Sequence, residues 1–387
     1  MSVFKSTMVG TGAAQRRIVV DTESLLPHVD SLAYLREKAE HQPSTADTYA
    51  SRLPIFFTWQ TERQLSYLEA AERFADFLNF LRVTPVTRQG RGQNRTRNLQ
   101  QNNNILIAVR DLYDHLVSHG LVANEALDLL WVYVDRRDRT VRRPRHAFAP
   151  SKPSRPNMPN PDEALRILDA VAAEDNPRNF FIYTLLSLLP LRIGTVAGFR
   201  RYDLHAVPDA VEYALLDPWG LKEGREDLCR VRGPHLHVVK RFDNPNRALA
   251  KTGDGRAYPM DPLMLVAYDL YTAQRLNLAP DADDNDMLLV VLGDPTRRGQ
   301  ALSIKSIRSM VARWGRQAGV PDLRPHALRH YWASSALDEG ASIEVVQEML
   351  GHASPETTRS IYVHISQEAM AKATEKRARY LREGRNP

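Results

Sequence analysis

A chain of 387 residues is long enough for two domains and a tail, and 43% apolar against 25% charged residues is ordinary for a globular protein. The formal charge of +6 and pI near 9.4 lean toward an anionic partner. The single cysteine, Cys229, excludes an intrachain disulfide and fits a reducing compartment; the longest apolar run, twelve residues at 180–191, reads as a buried helix rather than a membrane span, and no charged-then-apolar leader opens the chain, so a soluble cytoplasmic protein is expected.

In chain order, residues 1–43 form an N-terminal extension of uncertain role, in which "RRIVV" reads as a short strand and "SLAYLREKAE" as a short helix. From Ser44 the pattern is helical. Tyr49, Leu53 and Phe56/Phe57 share a face, with Pro54 expected to kink or interrupt the run. A second stripe uses Leu65, Leu68, Ala71, Phe74, Leu78 and Leu81. A third uses Leu106, Val109, Leu112/Tyr113 and Leu116, with Gly120 placed to end it. Residues 44–135 therefore predict a small all-helical domain.

Between the second and third stripes, from Arg82 to Arg110, lie six arginines and no acid. Such a stretch is either a solvated loop or a phosphate-contacting surface, and Arg88, Arg91, Arg95 and Arg97 are its DNA-binding candidates. Residues 136–160 predict a basic, proline-rich linker: eight basic residues against one acid between Arg136 and Arg155, and six prolines from Pro144 to Pro161. Arg142, Arg143 and Arg145 are the candidates there. An extended strap of this kind would let two domains wrap a duplex.

Residues 161–387 predict a second domain with a C-terminal tail. "PDEALRILDAV" opens like a helix N-terminus, and "RNFFIYTLLSLLPLRIGTVAGF" reads as a buried helix reaching Arg192 near its end, then another short helical turn. "HLHVVKRF" at 235–242 alternates like a strand, "GRAYPM" at 255–260 is its expected partner, and "ALAKTGDG" joins them as a hairpin connection. Helices follow Pro262. The acidic "DADDND" at 281–286 lacks the Gly and final Glu of a calcium loop and reads as a solvated turn. The expected class is mostly α with a small antiparallel sheet, and no metal site is assigned.

Five kinds of polar position then stand out. Arg192 follows the apolar helix; Lys251 precedes "TGDG"; His326 and Arg329 in "HALRH" share a helix face; His352 follows "LG"; Tyr362 lies on a helix that Ser354 can cap. Taken singly, each has a structural reading: surface cation, solvated turn, helix cap or core aromatic. A permanently charged guanidinium beside an imidazole that titrates near neutrality suits a phosphate oxygen undergoing chemistry.

With these residues in view, the chain resembles the tyrosine recombinase family of the phage-integrase type. The likeness covers about residues 44–370 and is most specific at "RPHALRHYWASSALDEGASIEVVQEMLGHASPETTRSIYVH". There the family's His-x-x-Arg-His, Leu-Gly-His, Thr-Thr and Tyr are all present. "LPLRIGTVAGFRRYDL" is similar to its first-arginine box, "AKTGDGRAYP" to its lysine hairpin, and "STADTYASRLPIFFTW" with "GLVANEAL" to its helical core-binding domain. Two departures stand out. Thr195 replaces the usual Glu three residues after Arg192, and the His352–Tyr362 spacing is one residue longer than the commonest. The longer spacing and "DNPNRALAKT" lean toward the integrase-like transposases of site-specific transposons.

The resemblance implies a site-specific DNA recombinase that integrates or excises a mobile element. Tyr362 would attack a phosphodiester to give a 3′-phosphotyrosyl link and a free 5′-hydroxyl. Arg192 and Arg329 would neutralise the non-bridging oxygens, His326 would assist loss of the tyrosine proton, Lys251 would protonate the leaving alkoxide, and His352 would hydrogen-bond the phosphate. The bond energy is conserved in the covalent link, so neither nucleotide, metal nor other cofactor is called for, and no GxxxxGK[ST] segment is present. Implied partners are double-stranded DNA and three further copies of the chain in a tetramer on synapsed DNA; accessory recombination proteins stay open, and the implied location is the bacterial nucleoid. Two alternatives are carried: a type IB topoisomerase or telomere resolvase-like enzyme, and a non-catalytic DNA-binding protein of the same fold.

Overall fold

The computed structural model describes residues 3–11, 14–85, 97–136, 139–149, 158–206, 233–250, 254–279 and 285–351. The chain divides into two compact units, Met1–Pro153 and Ser154–Pro387.

The first unit begins with a hairpin of β1 (Phe4–Val9) and β2 (Arg16–Asp21), paired antiparallel with Phe4 opposite Asp21. Among the described residues seven helices follow: α1 (Val29–His41), α2 (Pro43–Ala50), α3 (Leu53–Glu62), α4 (Tyr67–Glu72), α5 (Phe74–Val83), α6 (Leu99–Ser118) and α7 (Glu125–Leu130). Pro54 does not kink a helix. It sits in the first turn of α3, where its missing N–H has no intrahelical partner to lose. The second apolar stripe is two helices, because α4 ends at Glu72 and α5 starts anew at Phe74. Reciprocal caps, Ser66 with Glu69 and Asn98 with Gln101, satisfy the first N–H groups of α4 and α6. Gly120 takes the left-handed conformation after α6 at φ +68°.

Residues 4–41 belong to this unit's core rather than standing outside it. Val19, Tyr34 and Leu35 are buried in one cluster with Phe56, Trp59 and Phe77. The Phe4 amide donates to Thr58 Oγ1 (3.2 Å), and the Tyr34 hydroxyl bonds Asp111, which also pairs with Lys38 at 2.6 Å. So few inward apolar residues per element leave the sequence pattern too weak to reveal this.

The stretch after α7 also differs from the expected extended strap. β3 (Trp131–Arg136) and β4 (Arg139–Pro144) pair as an antiparallel hairpin, so the linker expected from residue 136 is strand up to Pro144. Trp131 supplies the reason. Arg142 lies over its ring at 4.3 Å and forks onto Asp114 at 2.8 and 2.7 Å, fastening the hairpin to α6.

The second unit packs α8 (Pro161–Ala172), α9 (Pro177–Ser187), α10 (Ile193–Gly198), α11 (Pro262–Leu278), α12 (Ile304–Gln317), α13 (Pro325–Asp338) and α14 (Ile343–Leu350) around a three-stranded antiparallel sheet. Its order is β5 (Leu204–His205), β6 (His235–Val239), β7 (Asp254–Pro259). The apolar run at 180–191 is buried as expected, Phe181, Leu185 and Leu186 joining Tyr271, Trp314 and Leu236 in the core, but its helix does not reach Arg192: α9 ends at Ser187, ahead of Pro190, and Arg192 starts the separate α10. Ala333, Val346 and Leu350 form a smaller cluster between α13 and α14.

Candidate active site

Arg192 caps the start of α10, on extended backbone directly after Leu191, the last residue of the apolar run. The side chain is half-buried. Burial pulls its guanidinium below the ordinary arginine range, Tyr258 opposes this, and the nearby Arg256 adds to it. A cation crowded by a second cation in partial burial favours an anion between them.

Arg329 projects from α13 and is almost fully buried. One guanidinium nitrogen donates to the Pro190 carbonyl, and the other donates to the Leu350 carbonyl at 2.6 Å. Trp332, one turn later, donates from Nε1 to the Leu188 carbonyl at 3.0 Å. The arginine of α13 thus grips the loop that presents Arg192 and, at the same time, the last turn of α14.

That last turn is held from several sides. Helices end with carbonyls that lack intrahelical donors. Here Glu348 O accepts from Arg256 (2.7 Å), Met349 O from the Tyr258 hydroxyl (2.7 Å) and Leu350 O from Arg329 (2.6 Å). Gly351 then turns the chain in the left-handed conformation at φ 62°. His352 follows immediately in sequence and lies outside the described residues, as do Lys251 and Tyr362.

The segment leading to Lys251 is anchored on α10. Leu249 O lies where a Cβ on Gly194 would come within 2.6 Å, so only glycine permits this approach. Asn246 donates to Ala197 O (2.7 Å) and Leu302 O (2.8 Å), and Asn244 donates to Ala248 O (2.9 Å). Thr195, where the family usually has Glu, is buried within α10.

His326 is exposed in the first turn of α13, whereas Arg329 points inward, so sharing a helix face does not give them equal burial. The residue that sequence reasoning passed over is His330. It stands 6.3 Å from His326, ring to ring, and is half-buried. Burial pushes its imidazole below the ordinary value, and the charges of His326 and Arg329 push it further. Its signal was present in "HALRH": the second histidine is four residues after the first, hence one turn along.

The basic candidates of the first unit separate by environment. Arg88, Arg91 and Arg95 lie outside the described residues. Arg97 reaches back to Thr84 O (3.1 Å), Arg142 is held by Asp114 and Trp131, and Arg145 donates twice to Asp128 O (3.2 and 3.0 Å). Arg143 is exposed on β4. Arg110, counted with the basic stretch, is buried instead; it donates to His146 O and faces the Phe74 and Trp131 rings.

Among the described residues, two groups offer three possible metal ligands each: His205, His235 and His237 in the second unit, and Glu37, His115 and His119 in the first. Neither includes Arg192, His326 or Arg329. No described helix is long and apolar enough to cross a membrane.

Residues 227–369 match the model of the phage integrase family. The tyrosine recombinase XerC of Haemophilus ducreyi is 35% identical over 160 residues, 40% of this chain and 50% of that protein. Matched segments span between a fifth and a half of the curated relatives' length. Among solved structures, the XerH site-specific recombinase bound to difH substrate, in its pre-cleavage complex, superposes with a TM-score of 0.54 at 17% identity, covering 89% of this chain and 83% of that one. The Tn1549 transposon integrase in complex with a circular intermediate DNA gives 0.51 at 14% identity, covering 90% and 99%. At these identities the superpositions speak for the fold.

Proposed function

From the match of residues 227–369 to the phage integrase family, we propose that this chain is a site-specific DNA recombinase working through a 3′-phosphotyrosyl intermediate on Tyr362. The observation that carries the reading is the grip of Arg329 on Pro190 O and Leu350 O. It draws the Arg192 loop, α13 and the chain entering His352 to one place, although they are far apart in sequence. Tyr258 and Arg256 tie β7, which follows Lys251, to the same turn.

In the proposed reaction Arg192 and Arg329 balance the charge that builds on the non-bridging oxygens of the scissile phosphate. The Tyr362 oxygen forms the new P–O bond as the bond to the 5′ oxygen breaks. His326 takes up the proton lost by Tyr362, Lys251 delivers a proton to the leaving oxygen, and His352 hydrogen-bonds the phosphate; His330 stands beside His326. Reversal by the 5′-hydroxyl of a second strand completes the exchange. The partner is double-stranded DNA, the working assembly is a homotetramer on two synapsed duplexes, and the setting is the bacterial nucleoid. We further assign the chain to a mobile element, on the longer His352–Tyr362 spacing and the "DNPNRALAKT" segment.

A duplex nicked beside the cleavage position tests this reading. The wild type should accumulate a covalent protein–DNA adduct, and Tyr362→Phe should bind the same duplex without forming one. An adduct of undiminished yield in Tyr362→Phe would remove the assignment. Joining of two labelled duplexes into recombinants would separate a recombinase from a topoisomerase-like enzyme.

A further inference from the structure

The sheet of the second unit carries three histidines on one face. Leu204 and Leu236 pair across β5 and β6 and enter the core, so the residues alternating with them turn the other way. Those residues are His205, directly opposite His235, and His237, two further along β6. The three rings stand 4.6, 4.9 and 4.8 Å apart, centroid to centroid, and are steeply inclined to one another. One ligand nitrogen from each lies within 4.8 Å of the others.

Aromatic packing alone would explain three neighbouring rings. The hydrogen bonds add a condition that packing does not require. His235 Nδ1 is 2.6 Å from Gly233 O, and His205 Nε2 is 3.2 Å from Tyr202 O. A carbonyl only accepts, so each of these nitrogens carries the proton, and the opposite nitrogen of each ring carries a lone pair. Carbonyl anchoring of the outer N–H is how metal-binding imidazoles are oriented. The lone-pair nitrogen of His235 faces His237 Nε2 at 3.1 Å. Two imidazole nitrogens on one tetrahedral zinc ion, each at roughly 2.0–2.1 Å, stand about 3.4 Å apart.

We infer that His205, His235 and His237 form a binding site for a divalent transition-metal ion of borderline softness, Zn2+ in the first instance. Three imidazoles with a fourth, open position filled by water is a coordination that this ion accepts. Bound there, the ion pins the end of β5 to the start of β6. The site involves none of the residues assigned to DNA cleavage, so its success or failure is independent of that assignment.

The test uses the full chain without a polyhistidine tag, stripped with EDTA and titrated with Zn2+ against a chromophoric chelator, and with Co2+ followed in the visible. The expected result is one equivalent bound, d–d bands of four-coordinate Co2+, and a rise in Tm. His205→Ala, at a half-buried strand end, should abolish stoichiometric uptake, and so should His237→Ala. His119→Ala, in the first unit's group, should leave it unchanged. Zn2+ should also protect His205 of the wild type from diethyl pyrocarbonate, as mapped on peptides, a readout that requires no variant to fold. Absence of stoichiometric uptake, uptake unchanged in His205→Ala, loss in His119→Ala, or unprotected His205 each overturns the site.

Discussion

A guanidinium presents five N–H donors in one plane, and at Arg329 that plane meets carbonyl oxygens from Pro190 and Leu350. Arg329→Lys keeps the charge but replaces the fork with one flexible point, which cannot hold both carbonyls in the same geometry. The expected outcome is a fall in the rate of covalent adduct formation on the order of 100- to 1000-fold. Arg329→Met should do more, because it also strands two buried acceptors, at about 1–3 kcal/mol each. Single-turnover kinetics on the nicked duplex measure the first effect and thermal unfolding measures the second. If the Lys variant cleaves at the wild-type rate while melting lower, Arg329 is a brace and not a catalytic cation.

At the level of elements, the entry to α1 is built on an unprotonated imidazole. His28 precedes the helix and accepts the Ser31 amide through Nδ1 at 3.3 Å, while its ring stacks on Phe57 at 3.9 Å. Burial lowers its pKa, and Asp30 only partly restores it. For a group whose folded pKa is depressed, stability is present above the ordinary histidine value and is lost as pH falls below it toward the folded value. Protonation also removes the lone pair that caps the helix. Wild-type Tm should therefore drop as pH is lowered from about 7 through the ordinary histidine value near 6.5. His28→Asn, which keeps a capping oxygen and does not titrate, should show a shallower drop. Parallel melting curves for the two proteins over that window would contradict this account of the cap.

Over the whole molecule, the candidates for DNA contact fall into two kinds, which salt dependence can tell apart. Each neutralised phosphate contributes about −0.9 to the slope of log affinity against log salt. Arg143 is exposed on β4, so Arg143→Ala should reduce the slope by roughly one contact's worth at unchanged Tm. Arg142 is committed to Asp114 and Trp131, so Arg142→Ala should lower Tm and alter the slope less. Fluorescence anisotropy across a salt series, paired with melting, checks both; a full slope change from Arg142→Ala would reverse their roles. The limits of sequence reading have the same origin. The stripe in α6 was legible because one periodic face repeats over many residues, the run at 180–191 because it is apolar almost without interruption, and the strand pair at 235–239 and 254–259 because strand-like segments flank a glycine-containing connection. The folding of residues 4–41 into the first core was not, since each element contributes only one or two inward residues. Nor was the β3–β4 hairpin, where a run of arginines looks identical in sequence whether it is solvated or stacked on a tryptophan. At the site, Arg192, His326 and Arg329 could be named from local motifs; that Arg329 is occupied by main-chain oxygens, and that His330 sits beside His326, are facts of three-dimensional packing.

The three successive carbonyls at the end of α14 accept from an arginine and a tyrosine of β7 and an arginine of α13. Sliding that helix along its axis would strain all three contacts, so small excursions are resisted. The place at which the chain leaves α14 is consequently fixed by β7 and α13, and Gly351, at φ 62°, is the first residue beyond those contacts.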